Sequence, residues 1–151
     1  MRNGLKMTCF KKSKSMCGIF CIFGDGAQDH HRAPGLLKHR GPDDVQVKRS
    51  NDGMCYMEFT RLSINDLSIE GSQPFVVPDI SGESVLMCNG EIYNHKSIYP
   101  SGEAGVSDCA CLIPLIKTHG IGIVSNIIRG VFAICYYDGS KLMASRDPFG
   151  V

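Results

Sequence analysis

The chain has 151 residues, of which 43% are apolar and 21% are charged, a composition typical of one globular domain. No apolar run approaches the ~20 residues of a transmembrane helix, which argues against a membrane protein. The formal net charge is +1, but residues 1–16 carry five basic side chains and no acid, so the other 11 basic and 15 acidic residues sum to −4. This balance gives no electrostatic basis for nucleic acid as a partner.

The first 16 residues are polar and basic, and we interpret residues 1–16 as a leader that is disordered, removed or untranslated. The domain is therefore assigned to residues 17–151. The leader lacks the apolar core of a secretory signal. The chain has eight cysteines, none in the C-x-x-C spacing of zinc fingers. We expect a cytoplasmic protein with reduced thiols and no metal.

The first half of the chain shows short strand patterns separated by turn residues. Residues 17–23 form an apolar run that ends in Gly24-Asp25-Gly26, which predicts a buried strand and a turn. Pro34 and Gly35 limit residues 27–38 to a short helix at most. Residues 65–83, rich in Pro, Gly and Ser, are predicted to be loop. The remaining predicted strands of this half are 45–48, 54–59, 61–64 and 84–88.

The second half contains the helical patterns. Residues 107–119 have apolar side chains at a spacing of three to four, and Pro114 requires the helix to begin near it or to kink. Residues 123–128 continue a helical pattern. Residues 131–137 predict a strand, which Asp138-Gly139 connects by a hairpin turn to a returning strand at 141–145. Short strands with two helical stretches predict an α+β fold with antiparallel sheets.

A cysteine follows an internal methionine at Met16-Cys17. If Cys17 is the first residue of the mature chain, it carries a thiol with an ordinary pKa of about 8.5 and a free amine with a pKa of about 8. One residue then supplies both a nucleophile and its base. The alternative is a buried structural cysteine in a strand, which is the usual role of an isolated cysteine.

Asn89-Gly90-Glu91 follows the predicted strand 84–88. One interpretation is a type I′ hairpin turn, for which Asn-Gly is the strongest short signal. The other is an oxyanion hole, because the Asn89 amide and the Gly90 N–H are two neutral donors that can point at one oxygen. In that case the glycine also lets a substrate approach the backbone closely.

Three charged residues could bind the two ends of a free amino acid. The Arg61 guanidinium suits a carboxylate, although an arginine at a strand edge is more often solvated. Glu91 and Asp108 are acceptors for an ammonium group. Asp108 precedes a helical pattern, so a helix cap or an acid of the first turn is the alternative role.

An ordered set of motifs closely resembles the class II glutamine amidotransferase domain found at the amino end of glutamine-dependent asparagine synthetases. The resemblance covers residues 16–151, and its specificity lies in the complete set rather than in one motif. The motifs are Met16-Cys17-Gly18-Ile19-Phe20, His39-Arg40-Gly41-Pro42-Asp43, Arg61-Leu62-Ser63-Ile64, Gln73-Pro74, Asn89-Gly90-Glu91-Ile92-Tyr93-Asn94, Ser107-Asp108, Gly130-Val131-Phe132-Ala133 and Arg146-Asp147-Pro148-Phe149-Gly150.

The resemblance implies a role for each matching residue. Cys17 corresponds to the nucleophile that forms a thioester with glutamine, and Asn89 and Gly90 correspond to the oxyanion donors. Residues 39–43 correspond to a loop near the glutamine site. The implied substrate-binding residues are Arg61, Leu62, Ser63, Ile64, Asn65, Glu91 and Asp108.

The resemblance also implies the N-terminal-nucleophile hydrolase sandwich, two antiparallel sheets flanked by helices, here expected to be incomplete at its carboxyl end. The glutaminase step needs no cofactor. ATP and Mg would act only through a synthetase module, absent from these residues, that receives the ammonia. The candidate partner besides glutamine is a synthetase domain or subunit on another chain. The alternative function is that of a non-catalytic relative that binds glutamine or a partner protein.

Overall fold

Two antiparallel sheets form the protein in a computed structural model that describes residues 17–27, 35–62, 72–79, 82–100 and 107–150. The three-stranded sheet has the order β1-β3-β2. Its strands are β1 (Gly18–Phe23), β2 (Asp44–Arg49) and β3 (Cys55–Arg61). The four-stranded sheet has the order β4-β5-β6-β7. Its strands are β4 (Phe75–Asp79), β5 (Gly82–Ile92), β6 (Gly130–Tyr137) and β7 (Leu142–Arg146). The predicted α+β fold with two antiparallel sheets is confirmed.

The strand predicted at 61–64 is not a separate element. Arg61 is the last residue of β3, where it pairs with Asp44 of β2, and Leu62 lies outside any strand. Ser63, Ile64 and Asn65 lie outside the described residues. The prediction for residues 27–38 is a short helix at most. A short 3-10 helix at Asp25–Ala27 overlaps the segment only at Ala27, and residues 35–38 form turns.

The loop predicted over residues 65–83 is wrong at β4. Phe75–Asp79 pairs with β5 in spite of Pro78. This strand lies at the edge of its sheet, where a proline without an N–H is tolerated because one side of the strand forms no ladder. The pairing with β5 therefore overrides the local proline and glycine signals.

The hairpin turn considered at Asn89-Gly90 is also wrong. The strand β5 runs through both residues to Ile92, and Asn89 and Gly90 pair with Ala133 and Phe132 of β6. The turn that does form is the predicted one between β6 and β7. There the Asp138 side chain accepts backbone N–H bonds from Ser140 and Lys141, each at 3.0 Å.

Three helices pack on one side of the four-stranded sheet: α1 (His95–Ile98), α2 (Leu112–His119) and α3 (Ile121–Ile127). Pro114 lies in the first turn of α2, where the backbone needs no hydrogen-bond donor. Leu112, Leu115 and Val124 join a core with the outer face of the sheet. None of the described helices has the length and apolarity needed to cross a bilayer.

A second core lies between the two sheets, and it sets their alignment. Alternate residues of β1, β3, β5 and β6 enter it because side chains alternate across a sheet. The Phe23 and Tyr137 rings are 6.2 Å apart, and the Cys21 thiol is hydrogen-bonded to Cys135. This bond, with burial, raises the pKa of Cys21, and it lowers that of Cys135. The inter-sheet core contains Cys17, Ile19, Cys21, Cys55, Met57, Phe59, Val85, Met87, Cys135, Tyr137 and Leu142.

Candidate active site

Cys17 lies immediately before β1, and its sulfur is held by the backbone that follows β3. The Leu62 N–H donates to the Cys17 Sγ at 3.3 Å, and the thiol points to the Leu62 carbonyl oxygen at 3.7 Å. The side chain is half-buried and packs against the inter-sheet core. The strand β1 thus presents this thiol at the edge of the space between the sheets.

Four of the residues singled out in the sequence lie on the faces that look into this space. Cys17 shares its face of β1 with Ile19 and Cys21, and Arg61 shares its face of β3 with Met57 and Phe59. Asn89 and Glu91 follow Val85 and Met87 at intervals of two along β5. Period-two alternation therefore directs Cys17, Arg61, Asn89 and Glu91 to the same layer.

The alignment of the sheets also brings the ends of these strands together. Cys21 contacts Cys135, which pairs with Met87. Four residues along β1 lead back from Cys21 to Cys17, and four residues along β5 lead from Met87 to Glu91. Phe23 faces Tyr137 at the other end of the inter-sheet core. β1 and β5 therefore run in opposite directions, and Cys17 lies at the Asn89–Glu91 end of β5.

Beyond the residues of β5 that pair with β4, side chains form hydrogen bonds with the backbone at the same edge of the strand. The Gln73 amide donates to the Cys88 carbonyl oxygen at 2.9 Å and accepts the Cys88 N–H at 2.6 Å. The Asp108 carboxylate accepts the Ile92 N–H at 2.6 Å. Hydrogen-bonding direction alternates along an antiparallel strand. From this alternation we expect the Gly90 N–H at the same edge, between the Gln73 and Asp108 contacts.

Gly90 has a φ of +138°, in a region that side chains rarely adopt. A Cβ there would collide with the Val131 carbonyl oxygen of β6. The glycine is therefore required at this point of β5, because the backbone of β6 occupies the position that a side chain would take.

Asp108 is not the helix cap considered as its alternative role. The N-cap of α2 is Cys111, and it makes no side-chain cap bond. The Asp108 carboxylate instead contacts the Ile92 N–H and the Cys109 thiol. A hydrogen bond with Cys88, burial and Asp108 together raise the pKa of Cys109 well above its ordinary value. Asp108 thus fixes the turn before α2 to the end of β5, beside Glu91.

The segment before β2 wraps around the start of β1. The Arg40 Nε donates to the Cys17 carbonyl oxygen at 3.4 Å, and the Asp43 N–H donates to the Arg61 carbonyl oxygen at 3.1 Å. A Cβ on Gly18 would lie 2.6 Å from the Thr60 Oγ1 and 2.9 Å from the Leu37 Cβ. The segment therefore lies directly on the strands that carry Cys17 and Arg61.

Sequence reasoning assigned no role to Gln73 or to the Leu62 backbone. Gln73 belongs to a motif of the resemblance, which is the signal that could have found it. The Leu62 contact with Cys17 spans 45 residues and uses only the backbone of Leu62, so the residue type at position 62 does not indicate it. Within the described ranges, no group of three or more His, Cys, Asp and Glu side chains could hold a metal ion.

The family described as glutamine amidotransferase domain matches residues 16–151. Asparagine synthetase (glutamine-hydrolyzing) 2 of Bacillus subtilis is 40% identical over 150 residues, which are 90% of this chain and 19% of that protein. The probable glutamine-hydrolyzing asparagine synthetase of Acanthamoeba polyphaga mimivirus is 35% identical over 148 residues, 90% of this chain and 26% of that protein. Amidase chyE of Penicillium rubens is 36% identical over 124 residues, 77% of this chain and 18% of that protein.

These matches cover 77% to 90% of this chain, which spans only 18% to 26% of the length of the three relatives. The matched family and the ordered motifs agree in their range, and the two antiparallel sheets have the architecture that the resemblance implied. The chain belongs to the glutamine amidotransferase domain family.

Proposed function

We propose that this domain hydrolyses the side-chain amide of glutamine through Cys17 and releases ammonia. The observation that supports this most strongly is the common orientation of Cys17, Arg61, Asn89 and Glu91 into one layer between the sheets. A nucleophile, a cation, an amide donor and an acid are thereby directed to one end of the sandwich. This set matches the chemistry of a free amino acid that carries an amide.

The reaction begins at the Cys17 sulfur, which attacks the amide carbon. Its α-amine, free when Cys17 is the first residue, takes the thiol proton and passes it to the leaving nitrogen. The Asn89 amide and the Gly90 N–H stabilise the oxyanion. The carbon–nitrogen bond breaks, ammonia leaves, and a thioester remains. Water then attacks the thioester, which yields glutamate and restores the thiol.

Charged side chains hold the far end of the substrate. Arg61 binds the α-carboxylate, for which a guanidinium provides paired donors. Glu91 and Asp108 accept hydrogen bonds from the α-ammonium group. Asp108 already accepts the Ile92 N–H, but an ionised carboxylate has about four acceptor positions. The resemblance in sequence implies that Leu62, Ser63, Ile64 and Asn65 also take part in binding glutamine.

The relatives named asparagine synthetase support the fate of the ammonia. We propose that it is consumed by an ATP- and Mg-dependent amidation of the asparagine-synthetase type, on a synthetase module that these residues do not contain. The glutaminase step requires no cofactor, because the thiol, the amine and the oxyanion donors all come from the chain.

The deciding experiment measures ammonia release and binding in parallel. A protein that begins at Cys17 is compared with its Cys17→Ser variant, with glutamine, asparagine and glutamate as ligands. We expect release from glutamine by the first protein, none by the variant, and calorimetric binding of glutamine by both. Asparagine is one methylene shorter and should react far more slowly, since a displacement of about 1 Å can cost about a hundredfold.

Two outcomes would count against the proposal. Substantial turnover by Cys17→Ser would exclude the thioester. Glutamine binding without turnover by the protein that begins at Cys17 would favour the non-catalytic relative. Substitution of a cysteine outside the site, Cys55→Ser, controls for general effects of thiol removal and should leave activity.

A further inference from the structure

Glu58 is a fully buried carboxylate that the proposed reaction does not use. It is 0% exposed and lies in the middle of β3, between Tyr56 and Thr60 on the face that looks away from the inter-sheet core. Acids are almost never fully buried unless hydrogen-bonded, because burial removes their hydration. A specific set of partners must therefore hold Glu58 in place.

Its partners connect β3 to the segment that precedes β2. Glu58 Oε1 accepts the Gly35 N–H at 3.0 Å, and Oε2 accepts the Tyr56 hydroxyl at 2.8 Å. Two residues further along the segment, the Thr60 hydroxyl donates to the Leu37 carbonyl oxygen at 3.2 Å. Two successive outward side chains of β3 thus fasten residues 35–37 to the strand.

The fastened segment then returns to the nucleophile. Gly41 lies against the Thr60 backbone so closely that a Cβ would overlap its carbonyl group. Between these anchors, Arg40 reaches the Cys17 carbonyl oxygen at 3.4 Å. The position of the Cys17 backbone is therefore tied to Glu58 through the segment and the Arg40 guanidinium.

We propose that Glu58 is a positioning residue, which holds residues 35–41 on β3 so that Arg40 fixes the backbone of Cys17. This inference rests on the proposed function for its kinetic consequence. It assigns to Glu58 an effect mainly on the reacting group rather than on glutamine affinity, because the path ends at the Cys17 carbonyl oxygen. By contrast, Glu91 lies on the other sheet, and Asp108 is bonded to the Ile92 N–H at the end of β5.

Enzyme kinetics of the protein that begins at Cys17 give the first test. Glu58→Leu and Arg40→Ala should each lower kcat about ten- to a hundredfold, the scale of a displaced reacting group, while KM changes less than threefold. The double variant should lose no more than the larger single effect, because both act through one path. Glu58→Gln retains an acceptor for the Gly35 N–H and should recover part of kcat.

The matched control is Glu83→Gln, since Glu83 is a partly buried acid of the other sheet that pairs with Lys48 at 2.7 Å. It should leave kcat within twofold. Additive losses in the double variant, or a rise in KM without a fall in kcat, would overturn the proposal.

A second readout does not depend on glutaminase activity. Hydrogen exchange should accelerate at residues 35–41 in Glu58→Leu and in Tyr56→Phe, and the rate at which iodoacetamide alkylates Cys17 should change in parallel. If the wild-type protein releases no ammonia but both changes occur, the proposed function fails and the positioning role stands. Unchanged exchange and alkylation rates in the folded variants would overturn it. If Glu58→Leu does not fold, the exchange and alkylation rates of Tyr56→Phe and the kcat of Arg40→Ala test the proposal in its place.

Discussion

The backbone N–H of Leu62 lies 3.3 Å from the sulfur of Cys17, so the residue after Arg61, the proposed carboxylate ligand, also contacts the proposed nucleophile. Under the proposed function, Arg61 at the end of β3 and the following Leu62 therefore serve both ends of a bound amino acid. A change that displaces residues 61 and 62 together is expected to impair binding and chemistry at once, whereas changes on β5 can separate the two.

Retention of Met16 should abolish catalysis. An acylated Cys17 nitrogen is an amide, which cannot accept the thiol proton, so glutamine should still bind while ammonia release falls below detection. The comparison uses one protein with an uncleavable residue before Cys17 and one that begins at Cys17, with intact masses measured for both. Equal turnover by the two forms would exclude the α-amine as the base.

Arg61→Ala and Asn89→Ala should have opposite kinetic signatures. Loss of Arg61 leaves a substrate carboxylate without its partner and should weaken glutamine binding by about 2–5 kcal/mol. Loss of Asn89 should instead lower kcat by about 10²–10³-fold with a smaller effect on binding, since an oxyanion donor acts mainly in the transition state. Calorimetry and ammonia-release kinetics measure the two quantities.

Exposed residues of the same types provide the controls for these variants. Arg129→Ala and Asn126→Ala change side chains on the surface and should alter neither binding nor turnover measurably. An Asn89→Ala variant with wild-type kcat would remove this residue from the oxyanion hole.

Gly90→Ala should destabilise the fold as well as remove activity. Its φ of +138° imposes about 1–3 kcal/mol of strain on a residue with a side chain, and contact with the Val131 carbonyl oxygen adds to it. Gly122→Ala in α3 is the control, because its Cβ would meet open space and alanine favours a helix by up to ~1 kcal/mol. Urea unfolding of both variants measures the difference, and an unchanged Gly90→Ala midpoint would contradict the strand geometry.

Alkaline unfolding should depend on Tyr56. Burial first, and then the hydrogen bond to Glu58, raise the pKa of Tyr56 to about 12, above the value of about 10 for an unfolded chain. The folded state holds this proton more tightly. Its contribution to stability is therefore complete below pH 10 and is lost as the pH rises towards 12.

Tyr56→Phe should flatten this decline, and Tyr93→Phe, an exposed tyrosine, should leave it unchanged. Urea unfolding between pH 9 and pH 12 measures the slope. Identical slopes for wild type and Tyr56→Phe would show that the phenol titrates alike in both states.

The sequence correctly predicted the strands and the helix start that depend on residues close together in the chain. The apolar run at 17–23 indicated β1, the strand signals at 54–59 and 131–137 indicated β3 and β6, and the proline in α2 correctly limited its start. Asn89-Gly90 was ambiguous because the same dipeptide serves a hairpin or the interior of a strand, and only pairing with Ala133 and Phe132, more than 40 residues away, decides between them.

The remaining differences have the same origin. The edge strand β4 forms because β5 supplies its partner, although its own residues favour a loop. Asp108 preceded a helical pattern and could have been a cap, but its partner is the Ile92 N–H on a strand 16 residues earlier. Buried Glu58 gave no signal at all, since its partners Gly35 and Tyr56 are ordinary residues in the sequence.

The close contact of Gly18 with Thr60 and Leu37 constrains how this family of sequences can diverge. A side chain at position 18 would displace the Thr60 hydroxyl and the segment that it fastens, so an isolated substitution there should be rejected. Relatives that do carry a side chain at 18 should show a compensating exchange to a smaller residue at 60 or 37. Positions 18, 37 and 60 are therefore expected to covary as a group.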